Sequence, residues 1–257
     1  MKRSRRSPPL PAAFRPDEAG ESSSALPDSS AVGGVRIIGG TLRGRVLPFG
    51  GDPHIRPMKD RIREAVFNLL ADRVRERLVI DLFAGTGALG FEAISRGSAA
   101  AVLLERHFPT AKNIRRHAEL LGVAERVEVE AADTFVWVRR LVEGLLTGPD
   151  GRPRDLLARL VTRPWLVFCS PPYSLYVERT DDLLTMLQQL LDQAPPGSLF
   201  VVESDERFDP QLLPDPDQWQ LRFYPPALIL MRTKFPPAAD PSNELDGSSD
   251  TVTPESE

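Results

Sequence analysis

The 257-residue sequence predicts an α/β domain built on a mostly parallel sheet. Short apolar runs alternate with segments of helical spacing, and such alternation requires parallel strands joined by right-handed crossovers. A glycine-rich turn, Gly85-Thr86-Gly87, joins the first of these runs to a helix. Three carboxylates, Asp81, Glu105 and Asp133, follow successive strands at their carboxyl ends, where sheets of this kind place their ligands.

Taken in order, residues 1–34 are rich in Ser, Pro, Ala and charge and predict a disordered tail, because they bury too little apolar surface to offset chain entropy. Residues 35–75 form a hairpin and a basic helix. Val35-Arg36-Ile37-Ile38 and Gly44-Arg45-Val46-Leu47 flank a turn holding Gly39-Gly40, and a loop broken by Pro53 and Pro57 follows. The helix is expected from about Met58 to Val74, with Ile62, Val66, Leu69 and Leu70 inward and Arg61, Arg63, Arg73 and Arg75 on other faces.

Residues 76–235 carry the alternating pattern. Leu78–Ile80, Ala101–Leu104, Val127–Val129, Trp165–Cys169 and Ser198–Glu203 are the expected strands. Helices are expected after the glycine turn, from Pro109 towards Gly122, over 135–147 and over 176–192, with a short helix in 154–162. Trp219–Phe223 and Ala227–Met231 close the domain as strands, and 236–257 form an acidic tail expected to be disordered.

Composition removes several function classes. The single Cys169 excludes an internal disulfide framework and suits a reducing compartment. No apolar run reaches bilayer length and the start lacks a signal-peptide core, so a soluble, cytoplasmic protein is expected. His54, His107 and His117 lack metal-ligand spacing, and no P-loop lysine follows the glycines. The net charge of −4 hides an uneven distribution: residues 240–257 hold six acidic residues and no basic one, whereas 35–75 hold nine Lys/Arg against four Asp/Glu. The second excess suits a phosphate-bearing partner.

Gly85-Thr86-Gly87-Ala88-Leu89-Gly90 spells the dinucleotide fingerprint, and Glu105 stands at the expected distance. Asp81 argues for a different ligand. A carboxylate at that strand end repels a pyrophosphate but attracts the cationic amino and sulfonium groups of S-adenosylmethionine. Glu105 can accept from both ribose hydroxyls and Asp133 from the adenine amino group.

Ser170-Pro171-Pro172-Tyr173 is the second informative stretch. Two prolines stiffen the turn after the fourth strand, so their carbonyls and the Ser170 hydroxyl can hold the hydrogens of an exocyclic amine. Tyr173 supplies a flat face for base stacking. The amine's extra proton can leave to water after transfer, so the turn needs no strong base.

Arg36-Ile37-Ile38-Gly39-Gly40, the run Arg56-Pro57 through Asp60-Arg61-Ile62-Arg63-Glu64, Asp81-Leu82-Phe83-Ala84-Gly85-Thr86-Gly87 and the Pro-Pro-Tyr turn together resemble the RsmD family over roughly residues 35–235. These are bacterial methyltransferases of small-subunit ribosomal RNA that modify a guanine N2. The resemblance implies a Rossmann-like methyltransferase fold for 76–235: a seven-stranded sheet with its last strand inserted antiparallel and the hairpin and helix appended. It also implies S-adenosylmethionine as cofactor, and 16S rRNA in partly assembled small subunits as partner. The chain departs from the family's usual pattern with Ser170 in place of Asp and Met58 in place of Thr, and 148–164 is longer than the family needs.

The resulting expectation is a monomeric rRNA guanine-N2 methyltransferase that pulls its base from the stack. Ser170, Pro171, Pro172 and Tyr173 form the catalytic turn. Asp81, Phe83, Ala84, Gly85, Thr86, Gly87, Glu105, Arg106 and Asp133 hold the cofactor, and Arg36, Arg43, Arg45, Arg56, Arg61 and Arg63 meet RNA. The competing readings are an adenine-N6 or cytosine-N4 methyltransferase, a weakly catalytic rRNA-binding assembly factor and a dinucleotide oxidoreductase.

Overall fold

A computed structural model describes residues 34–48, 58–146 and 162–235. Seven strands form one sheet: β3 (Leu78–Asp81), β4 (Ala100–Leu104), β5 (Val127–Glu130), β6 (Trp165–Cys169), β7 (Leu199–Asp205), β8 (Gln220–Tyr224) and β9 (Ala227–Thr233). Their spatial order is β5-β4-β3-β6-β7-β9-β8. Pairing is parallel from β5 to β7, and β9 runs antiparallel to both neighbours. Every residue of β3, β4 and β6 is buried, because helices cover both faces; this is why they read as continuous apolar runs.

Successive side chains feed opposite cores. Val79, Ala101, Leu103, Leu166 and Phe168 pack with α1 (Asp60–Leu70), α2 (Ala88–Ser95) and α3 (Phe108–Leu120). Leu78, Ile80, Val102 and Val167 pack with α4 (Thr134–Val142) and α6 (Thr180–Gln193). The chain steps from β3 outward through β4 to β5, then returns to the other side of β3 as β6. The carboxyl ends of β3 and β6 therefore flank the point where the winding reverses, and a crevice opens there.

The small hairpin is present as β1 (Val35–Arg36) and β2 (Val46–Leu47), with Val35 opposite Leu47. It docks on α2 through hydrogen bonds to two polar side chains. Glu92, fully buried, accepts from the amides of Ile38 (2.7 Å) and Gly39 (2.8 Å). Ser95 Oγ accepts from the Leu42 amide at 2.9 Å and donates to the Gly39 carbonyl at 2.5 Å. Gly40 sits so close that a Cβ there would lie 1.9 Å from the Ser95 carbonyl oxygen.

Three helix boundaries differ from the expectation. The basic helix ends at Leu70, and Ala71–Val74 continue as a 3₁₀ turn. The helix expected over 135–147 spans Thr134–Val142, started by Asp133, whose Oδ1 accepts from the Phe135 and Val136 amides. The helix expected over 176–192 is two, α5 (Leu175–Glu178) and α6, broken at Arg179. There the guanidinium lies over the Phe135 ring at 3.9 Å, Nε donates to Asp182 at 2.7 Å, and Thr180 Oγ1 donates to the Tyr176 carbonyl. The tails, the 50–57 loop and almost all of the 148–164 segment lie outside the described residues.

Candidate active site

The crevice is a cleft of about 1030 Å³ at the carboxyl end of the sheet. Its wall combines Phe83 and Gly85 after β3, Glu105 and Arg106 after β4, Asp133 to Phe135 after β5, and the whole Ser170–Tyr173 turn after β6. Met58, Lys59 and Ile62, at the start of α1, close one side.

The glycine turn is built as its letters require. Gly85 and Gly87 hold left-handed backbone, with φ of 55° and 79°. Glu105 braces the turn, its Oε2 accepting from the Gly85 amide at 3.0 Å and its Oε1 from the His107 amide at 2.7 Å. Each oxygen keeps a second lone pair for a ligand hydroxyl. Asp133 spends Oδ1 on the α4 amides, which leaves Oδ2 as its acceptor towards the cleft. Phe83 packs edge-on against Phe135 at 6.2 Å.

Asp81 lies directly behind this wall, fully buried, and neither carboxylate oxygen has a hydrogen-bond partner of good geometry. Desolvation pushes its pKa up to about 7; the nearby Gly90 and Phe83 amides pull the other way, and the charge of Glu105 adds to the rise. A buried carboxylate without a partner is what a cationic ligand group would complete. Ala84 and Thr86 are buried beside it, and Gly87 caps α2.

The second half of the site contains a residue that the sequence reading missed. Glu203, 7% exposed near the end of β7, accepts from the Ser170 hydroxyl on Oε2 and from the Tyr173 hydroxyl on Oε1 at 3.2 Å. The Tyr176 hydroxyl donates to its main-chain carbonyl at 2.7 Å. Burial raises the Glu203 pKa, partly countered by the Ser170 and Tyr173 hydrogen bonds. The signal that finds Glu203 is the one that found Asp81 and Glu105: a carboxylate at the carboxyl end of a strand in a parallel sheet.

The proposed RNA-contacting arginines separate. Arg43, Arg45 and Arg61 are exposed and Arg36 is half-buried, but none of them lines the cleft. Arg56 lies outside the described residues. Arg63 requires correction. It is fully buried, donating to the Arg36 carbonyl at 2.5 Å and to Asp60 at 2.8 Å, with Nε 3.9 Å from Glu92. It joins hairpin, α1 and α2 and presents nothing to an RNA. The reason is helical phase, since Arg63 shares its face with the buried Phe67 and Leu70 at i+4 and i+7.

The comparisons agree with this architecture. The protein family described as "Conserved hypothetical protein 95" matches residues 35–144. Ribosomal RNA small subunit methyltransferase D of Escherichia coli K12 is 35% identical over 181 residues, covering 70% of this chain and 79% of that one. The protein of the same name from Haemophilus influenzae is 30% identical over 193 residues, covering 75% and 88%. The solved structure of yhhF from Escherichia coli superposes with a TM-score of 0.59 at 27% identity, covering 79% of this chain and 99% of that one. With 35% identity over 79% of the Escherichia coli K12 relative, a fold that superposes on yhhF, and the glycine and Pro-Pro-Tyr turns facing one cleft, the chain belongs to the ribosomal RNA small subunit methyltransferase D family and is a methyltransferase.

Proposed function

We propose that the protein transfers a methyl group from S-adenosylmethionine to the exocyclic N2 of a guanine in 16S rRNA, acting on partly assembled small subunits as a cytoplasmic monomer. The observation that carries this reading is a buried carboxylate without a good hydrogen bond, set behind the glycine-turn wall of a cleft that an amine-holding turn also lines. Asp81 answers the cationic end of the cofactor, the Glu105 oxygens its ribose and Asp133 its adenine, with Arg106 exposed at the rim. Bound there, S-adenosylmethionine supplies an electrophilic methyl group. Tyr173 stacks on the flipped base, and Ser170 and the Pro171 carbonyl hold the amine so that its lone pair faces the donor. Positioning and the exclusion of water then carry most of the acceleration.

In this organisation residues 35–75 form the RNA-facing extension and 76–235 the methyltransferase domain. No helix among the described residues is long and apolar enough to cross a membrane, and those residues hold no cluster of metal-ligating side chains. The test is nucleoside mass spectrometry of small-subunit RNA from a strain lacking the gene, with purified protein and labelled S-adenosylmethionine added back to its subunits. Loss and restoration of N2-methylguanosine is expected. Methylated adenine or cytosine would keep the reaction and replace the substrate, and subunit binding without transfer would leave an assembly factor.

A further inference from the structure

The Ser170 hydroxyl is not idle in the cleft. Its proton is committed to Glu203 Oε2, so its lone pairs are turned to whatever enters. The second oxygen of Glu203 is held by Tyr173, the residue assigned to stack on the base. One carboxylate thus orients both polar members of the turn, and it borders the cleft itself. Resting on the methyl-transfer reading above, we propose that Glu203, acting through the Ser170 hydroxyl, takes the proton that the guanine amine must lose on methylation.

As the amine's N–CH3 bond forms, the S–CH3 bond breaks and its electron pair stays on sulfur. The nitrogen passes one proton to Ser170 Oγ, Oγ passes its own proton to Glu203 Oε2, and Glu203 is left as a neutral carboxylic acid. The proton then leaves to solvent once the methylated base has left the cleft. The neutral Ser170 therefore keeps a negative charge one hydrogen bond further back. Burial makes Glu203 a better proton acceptor than an exposed carboxylate, as general bases are tuned.

Glu203 is the carboxylate that the hydroxyls of the turn both meet. Cys169 and Tyr176, both buried, have their pKa values pushed up and stay protonated. Asp205 is paired with Arg207 at 2.6 Å, which holds its carboxyl low. Lys59, Arg179 and Arg207 line the same cleft, as do His107 and Glu178, and Asp81, its pKa pushed up to about 7 by burial, sits behind the neighbouring strand end. Transfer requires ionised Glu203, so the rate should fall as pH drops through its raised pKa.

The experiment is single-turnover transfer of labelled methyl to unmodified small subunits across pH, at S-adenosylmethionine concentrations that saturate the protein at every pH so that Asp81 does not shape the rate, with calorimetric S-adenosylmethionine affinity measured alongside. Glu203→Gln should slow transfer about a hundredfold or more and abolish the acid limb, while affinity holds. Ser170→Ala should match that loss, and the two changes together should do no further harm. Ser170→Asp placed in the Glu203→Gln background supplies an acceptor directly and should restore most of the rate. An infrared titration of the ligand-free protein gives a readout apart from activity. The Glu203 carboxylic acid band should persist to higher pH in Ser170→Ala, because a hydrogen bond to the carboxylate has gone.

Should Glu203→Gln fail to fold, the Ser170→Ala profile and the infrared band decide the same question. The relay is overturned if Glu203→Gln keeps wild-type rate and acid limb. It is also overturned if the two losses multiply, or if Ser170→Asp restores nothing in a folded, cofactor-binding variant. Wild type that methylates guanine alongside such a result leaves the proposed function standing. Wild type that transfers nothing removes both.

Discussion

Asp81 shows what a single side chain reveals when its partners are counted. A carboxylate at the end of β3 has lost its water and gained no hydrogen bond of good geometry, and its pKa has risen to about 7. Binding of a cationic ligand favours the ionised form, so below about pH 7 the protein must release a proton on binding. Affinity for S-adenosylmethionine should therefore fall as pH drops below about 7, approaching tenfold per pH unit, and level off above it. Calorimetry in buffers of different ionisation enthalpy reads both the affinity and the released proton. Flat affinity between about pH 5.5 and 8.5 would detach Asp81 from the ligand. Asp81, Glu105 and the Ser170–Tyr173 turn were legible because each follows an apolar run, and the sheet fixes where such residues point. Arg63 was not, because a charged letter beside Ile62 looks solvated until Phe67 sets the phase of the helix.

At the scale of elements, the hairpin is anchored by a polar hub. Glu92 accepts from Ile38, Gly39 and Arg96 and stands 3.9 Å from Arg63. Removing one member of a buried ionic cluster leaves the others uncompensated, so Glu92→Ala should destabilise the fold by about 3–5 kcal/mol in urea unfolding. A loss below about 1 kcal/mol would mean that the hairpin docks by its apolar contacts alone. With the hairpin seated, Arg43 and Arg45 remain exposed. Changing both to Gln should lower RNA affinity and reduce the magnitude of the salt slope by about one to two, leaving S-adenosylmethionine affinity intact. An unchanged slope would return them to ordinary surface charge. The break at Arg179 was hidden from sequence for a comparable reason. The 175–193 stretch is helical by composition, and a contact with Phe135 from another element coincides with the interruption.

For the molecule as a whole, the fold class was legible because parallel strands buried on both faces leave runs that helices cannot imitate at such short length. The position of the last strand was not carried by any local pattern; only the family resemblance implied it. β9 lies between β7 and β8, pairs with β7 over all seven of its residues and with β8 over Ala227–Met231, and brings Ala227 to the cleft wall beside Pro226. That arrangement imposes a timetable on biosynthesis. A nascent chain can stack β3 to β7 as they emerge, but it waits with the hydrogen-bonding edge of β7 unsatisfied until residues 227–233 have been made. The Pro226–Ala227 corner of the cleft is thus completed last, and a ribosome that stalls earlier releases an open-edged chain prone to pair with its neighbours.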